Sequence, residues 1–182
     1  MISCALFQAP FVFLRHGETE SNRRGLTAGM TDVTLNATGG QQARAAAAAL
    51  IGRNITALYS SPLKRALETA RCVAEALDLP IVIIPQLAER NWGALEGRPR
   101  ELRVREAAPP GGEALEEFTR RTLAGLAAIP AGGLPLVVAH SGTFRVLCAH
   151  LGIEARAQVE NCCPLRFVPP HMAAAPWAVE PL

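Results

Sequence analysis

The sequence predicts an α/β fold, a three-layer sandwich with a mainly parallel central sheet covered by helices on both faces. Three observations predict it. Short apolar runs, β-branched or aromatic, alternate with longer runs of helical periodicity. Apolar residues make up 49% of the 182 positions, enough for a sizeable core in one domain, and the chain is short for two. The apolar runs lead into polar or ionisable residues, as expected where parallel strands carry a binding site beyond their carboxyl ends.

The elements follow in order. Residues 11–14 are a short apolar, aromatic run ending at a charged turn, which reads as a buried strand. Residues 39–52 read as a helix, with alanines, Leu50 and Ile51 for packing and Thr38 as its cap. Residues 55–59 form a second strand. Ser60, Ser61 and Pro62 then start a helix that runs to Leu77, a serine cap followed by proline at the first helical position. Residues 81–84 are a third, β-branched strand. A stretch rich in Gly, Pro and Arg follows to Gly112. Residues 113–128 have helical periodicity through Leu115, Phe118, Thr122 and Leu126. Residues 135–139 are a fourth strand, and residues 143–151 a helix closed by Gly152. The proline-rich end, residues 165–182, reads as one or two short edge strands. No internal repeat or linker interrupts the chain, so residues 1–182 read as a single domain.

Composition excludes several classes. The net charge of +2 is too small to favour nucleic acid or a membrane surface as partner. The five cysteines are odd in number, without a C-x-x-C pair or zinc-like spacing, and read as reduced, largely buried thiols of a cytosolic protein. The apolar N-terminus lacks a basic segment and runs into R-H-G-E without a cleavage site, so it does not read as a signal peptide. The expected location is the cytoplasm.

The predicted strand ends gather chemistry. Arg15 and His16 follow the first strand, residues 60–65 the second, Glu89 lies a few residues past the third, and His140 follows the fourth. Two histidines, two arginines and a glutamate at one rim suffice for phosphoryl transfer. A neutral imidazole can attack, arginine forks can hold the phosphoryl oxygens, and a carboxylic acid can protonate the leaving oxygen. No Asp/Glu cluster points to magnesium and no H-E-x-x-H to zinc, so neither metal nor cofactor is expected. His150 and His171 read as structural or surface residues. Asp32 reads as a loop stabiliser, and Trp92 either walls the pocket or packs.

These residues sit in segments that resemble one family. F-L-R-H-G-E-T-E-S-N (13–22), S-S-P-L-K-R-A-L-E-T-A (60–70), L-A-E-R-N-W-G-A-L-E-G (87–97) and V-A-H-S-G (138–142) resemble, in order, the motifs of the histidine phosphatase (phosphoglycerate-mutase-like) family. The resemblance covers residues 11–163. It implies that His16 is the nucleophile that becomes phosphohistidine, and that Arg15, Arg65 and His140 hold the phosphoryl oxygens. Glu89 would protonate the leaving group and then help activate water. Asn22, Thr27, Gly29 and Ser141 would be further substrate contacts. Three departures stand out: Ser141 where glycine is common, Ser21 where tryptophan is usual, and G-G-E-A at 111–114 for G-G-E-S. The stretch 98–110 is short for a lid and carries four arginines. A basic lid over an anionic substrate and a solvated face balanced by Glu101 and Glu106 are equally open readings.

The resemblance implies a metal-independent phosphomonoesterase acting on a small phosphorylated metabolite. A cofactor-dependent phosphoglycerate mutase and a non-catalytic phospho-ligand-binding protein are the alternatives. A mutase must shield phosphohistidine from water, and a short lid does that poorly. The proline-rich end packs on its own sheet or on a second copy, which leaves a homodimer open.

Overall fold

The computed structural model describes residues 5–154, 159–170 and 176–182. Six strands form one sheet: Phe11–Arg15 (β1), Ala57–Ser60 (β2), Ile81–Ile83 (β3), Pro135–Ala139 (β4), Pro164–Val168 (β5) and Ala178–Pro181 (β6). Their spatial order is β3-β2-β4-β1-β5-β6. The first four in that order run parallel, and β5 and β6 add antiparallel at one side. The helices among the described residues are Glu20–Arg23 (α1), Ala37–Leu50 (α2), Lys64–Leu77 (α3), Leu115–Ala127 (α4) and Ser141–His150 (α5), with short 3₁₀ turns between.

Alternation along the strands divides the core. Val12, Leu14, Leu136 and Val138 face one side, where they meet Ala43, Ala47 and Leu50 of α2 and Ala66, Ala70 and Val73 of α3. Small residues let these two helices approach the sheet and each other closely. Phe11, Phe13, Val137 and Ala139 face the other side, against Leu126 of α4 and Phe144 and Leu147 of α5. The expected α/β class with helices on both faces is therefore observed.

Several boundaries differ from the sequence reading. Asn36, not Thr38, caps α2, its side chain accepting from Gly39 N at 2.8 Å. Ser60 and Ser61 do not start α3, because Ser60 still pairs with Val138 and Ser61 N donates to the Val138 carbonyl at 3.0 Å. The cap passes to Asp32, whose Oδ1 accepts from Lys64 N at 2.7 Å, in keeping with a loop-stabilising aspartate. Helix α5 starts at Ser141, two residues early, with His140 at its cap position. Strand β5 is not an edge strand: Phe167 is fully buried and stacks on Phe11 at 4.7 Å, so the edge falls to β6. Cys72, Cys148, Cys162 and Cys163 are free thiols, the second and third buried. Cys4 and His171 lie outside the described residues. No helix among the described residues is long and apolar enough to cross a membrane.

Candidate active site

Strand register decides which residues meet. β1 and β4 are parallel neighbours with Arg15 opposite Ala139, and His16 N donates to the Ala139 carbonyl at 3.0 Å. His16 and His140 therefore leave adjacent strands at the same level, their ring centroids 5.2 Å apart. Arg65 enters from the first turn of α3, just beyond β2. All four groups are buried: Arg15 is 6% exposed, His16 5%, Arg65 1% and His140 0%.

The hydrogen bonds fix one tautomer. His16 Nδ1 lies 2.7 Å from the Gly17 carbonyl oxygen. A carbonyl only accepts, so Nδ1 carries the proton and Nε2 keeps its lone pair. Gly17 N donates to Thr69 Oγ1 at 3.0 Å, and Thr69 Oγ1 donates to the Arg65 carbonyl at 2.8 Å. Gly17 passes so close to the Gly39 carbonyl that a side chain would collide with it. His140 Nε2 pairs with Ser61 Oγ at 2.6 Å, and its Nδ1 is buried without a partner among the described residues.

The two arginines are held by carbonyls rather than carboxylates. Arg15 Nη1 donates to Val159 O at 2.7 Å, and Arg65 donates to Thr31 O at 3.0 Å and Gly29 O at 2.7 Å. The Nε of each is buried and unpartnered, and neither forms a salt bridge among the described residues. Buried charges are ordinarily paired, so two unpaired guanidiniums beside two histidines make a site for an anion. Burial lowers Arg15 to about 10, opposed by Glu89, which leaves it charged at neutral pH. Burial first, then Arg65 and Arg15, holds His16 well below its ordinary 6.5; burial, Arg65 and His16 do the same for His140.

That shift carries a sign for stability. The folded protein keeps both imidazoles neutral while the unfolded chain takes up protons below its ordinary value of 6.5. Their contribution is fully present above that pH and is lost as pH falls toward the lower folded values. The urea midpoint should therefore fall from about pH 7.5 to about pH 5.5, and less steeply in His16→Gln. A wild-type midpoint that stays flat over that range contradicts the assignment.

Glu89 reaches the cluster from the loop after β3. Its Oε1 accepts from Arg90 N at 2.9 Å and its Oε2 from Gly142 N at 3.0 Å. A side chain at position 142 would collide with Glu89 Oε1, so glycine there permits the approach. Glu96 is turned away and holds Met30 N and Thr31 N at 2.7 and 2.8 Å, while Glu101 is exposed.

The further sequence candidates divide. Ser141 is the first residue of α5, so its N–H belongs to the free amino-terminal donors of that helix. Asn22 closes the α1 capping box, its Oδ1 accepting from Thr19 N at 3.2 Å, and lines a shallow pocket with Arg15. Gly29 gives its carbonyl to Arg65. Thr27 uses its backbone to pair with the stretch after Glu96, its N–H to Arg98 O and its carbonyl to Gly97 N. Thr27 and Gly29 thus have backbone groups engaged inside the protein, Gly29 as a support of Arg65.

Other contributors escaped the sequence reading. Asn161 Nδ2 donates to the His16 carbonyl at 2.7 Å, and Cys162 N donates to the Arg15 carbonyl at 2.9 Å. Cys162 adopts φ of 53° to do so, a conformation costly for a residue with a Cβ. Thr69 was inside a quoted motif, one helical turn from Arg65, and that spacing was its signal.

Residues 11–164 match the sequence model of the histidine phosphatase superfamily (branch 1). The chain belongs to this superfamily. It is similar to the uncharacterized phosphatase PhoE of Bacillus subtilis, 38% identical over 144 residues, covering 76% of this chain and 75% of that protein. It is also similar to the probable phosphoglycerate mutase GpmB of Yersinia enterocolitica, 34% identical, covering 93% and 90%. Among solved structures, a putative α-ribazole-5′-P phosphatase from Escherichia coli superposes with a TM-score of 0.80 at 27% identity, covering 96% and 95%. These histidine phosphatase relatives include both phosphatases and mutase-like proteins, so the family places the activity in phosphoryl chemistry.

Proposed function

We propose that the protein is a phosphomonoesterase that hydrolyses a small phosphorylated metabolite through a phosphohistidine at His16 Nε2. The observation that carries this reading is the pair of buried arginines, Arg15 and Arg65, left without carboxylate partners beside a histidine whose Nε2 is free. A phosphoryl dianion supplies the missing charge and brings phosphorus to the nucleophile.

The steps balance. Nε2 attacks phosphorus as the ester P–O bond breaks, and Glu89 gives its proton to the leaving alcohol oxygen. Arg15 and Arg65 hold the equatorial oxygens throughout, with His140 beside them, so the developing charge meets fixed positive groups. Water then attacks the phosphohistidine, gives a proton to Glu89, and the N–P bond breaks to release inorganic phosphate and neutral His16. Arginine supplies the positive charge at each step, and the proposed reaction uses no metal ion.

Hydrolysis is preferred to phosphoryl return because the stretch after Glu96 is short and open. Residues 98–102 and 104–108 are all exposed, and a short, solvent-facing stretch supports hydrolysis over shielding of the phosphohistidine. Turnover is tested by phosphate release from a panel of monoesters in EDTA. Release that survives chelation is expected. Isomerisation of 3-phosphoglycerate without phosphate release would replace hydrolysis with mutase chemistry.

A further inference from the structure

Across Glu89 and Gly142 from the phosphoryl pocket lies a cavity of about 400 Å³, a size that holds a small organic ligand. Trp92, Phe118 and Leu123 give it an apolar wall, and Arg103, Arg105 and Arg145 bring three guanidiniums to the same space. Burial first lowers Arg103 and Arg145; arginine neighbours add to this and Glu89 opposes it. Among the described residues none of the three forms a salt bridge. Arg103 donates to the Arg100 carbonyl at 3.1 Å and lies 5.1 Å from the Trp92 ring centre, while Arg105 and Arg145 make no side-chain hydrogen bond among the described residues.

The carboxylates at the cavity offset this cluster only in part: Glu89 opposes the lowering of Arg103 and Arg145, but three guanidiniums outnumber it. Both oxygens of Glu89 accept backbone N–H groups, and Glu106 is exposed at the rim. Arg90 also reaches the wall, but its donors go to the carbonyls of Glu113, Arg105 and Ala107 at 2.6–2.9 Å. That clamp fixes the backbone at Arg105 and Ala107, the base from which the Arg105 side chain extends. Like charges gathered on an apolar wall repel one another and gain only when an anion enters.

We infer that this cavity receives the alcohol part of the substrate, and that this alcohol carries an apolar, ring-sized body and a second anionic group, carboxylate or phosphate, held by Arg103, Arg105 and Arg145. The inference rests on the phosphatase reading above, since it takes Glu89 as the boundary between phosphoryl group and leaving alcohol. Of the arginines after position 97, Arg103 and Arg105 border this cavity and Arg100 lines the pocket it shares with Arg15 and Asn22.

Binding to the His16→Ala protein, followed by calorimetry, tests it without needing turnover. The probes are 4-methylbenzyl phosphate, 4-carboxybenzyl phosphate and the corresponding bis-phosphate ester. One charge-assisted pair predicts about tenfold or greater tighter binding of an ester with a second anion, and the tighter of the two charged esters identifies which anion. Arg145→Met and Arg105→Gln, each in that background, should reduce the ratio of charged to neutral affinity toward one. Equal affinity for all three esters, or a ratio unmoved by both arginine variants, overturns the inference. Preferential binding of a charged ester with no phosphate release by the wild type would uphold the cavity assignment and remove the hydrolytic reading instead.

Discussion

His16→Ala should lower kcat on a phosphomonoester by about 10⁴-fold or more, the scale on which a lost covalent nucleophile is felt. His140 is not placed to take over through its Nε2. His140 Nε2 is engaged by Ser61 Oγ at 2.6 Å, and the nearby guanidiniums have no nucleophilic lone pair. The fold should survive, because the bonds that anchor this position to the sheet and to Asn161 use backbone N and O. An unchanged circular dichroism spectrum beside lost turnover would show that the nucleophile alone was removed. Acid-stable enzyme-bound phosphate is not expected, since phosphohistidine is hydrolysed by acid; trapping must be done in alkali. Retention of more than about a tenth of wild-type kcat would exclude His16 as the covalent carrier.

The sequence made the strand ends legible because parallel strands place their carboxyl ends together. Arg15, His16, Arg65 and His140 meet as that rule requires, through the β1–β4 and β2–β4 registers. Local capping was less legible. The Ser60-Ser61-Pro62 run has the composition of a helix start, yet the sheet claims both serines and Ser61 turns to His140. Tertiary pairing overrode a local preference there, and an aspartate 32 positions earlier supplied the cap. Asn161 and Cys162 carried no periodicity or motif of their own. Their role comes from β5 returning antiparallel beside β1, which sets the loop before β5 against the backbone of Arg15 and His16. The arginines after position 97 were ambiguous in sequence because spacing does not reveal which side of a lid faces inward. The Arg90 clamp, a set of bonds to the carbonyls of Arg105 and Ala107, fixes the backbone of that stretch and has no signature in local spacing.

Glu89→Gln should separate proton transfer from nucleophilic attack. For an alkyl phosphate the leaving alkoxide needs a proton, and loss of a positioned acid should lower kcat by about 10²–10³-fold. For p-nitrophenyl phosphate, whose phenolate leaves unaided, the first step should change by less than about tenfold. The substitution has a structural cost as well. Both Glu89 oxygens accept backbone N–H groups, from Arg90 and from Gly142. A glutamine offers one oxygen and one NH₂, so one of these donors faces another donor, at a cost of about 1–3 kcal/mol. That cost is common to every substrate, whereas the missing proton is not. Glu89 also takes the proton of the attacking water, a step common to both esters, so the ratio of alkyl to aryl rates in the first step, read as the burst of released alcohol or phenolate, reports the acid role and cancels the distortion. A carboxylate that merely braced α5 through Gly142 would lower both rates alike. A first-step ratio that collapses while the aryl burst persists assigns the proton to Glu89, and equal loss of both bursts would move the acid elsewhere.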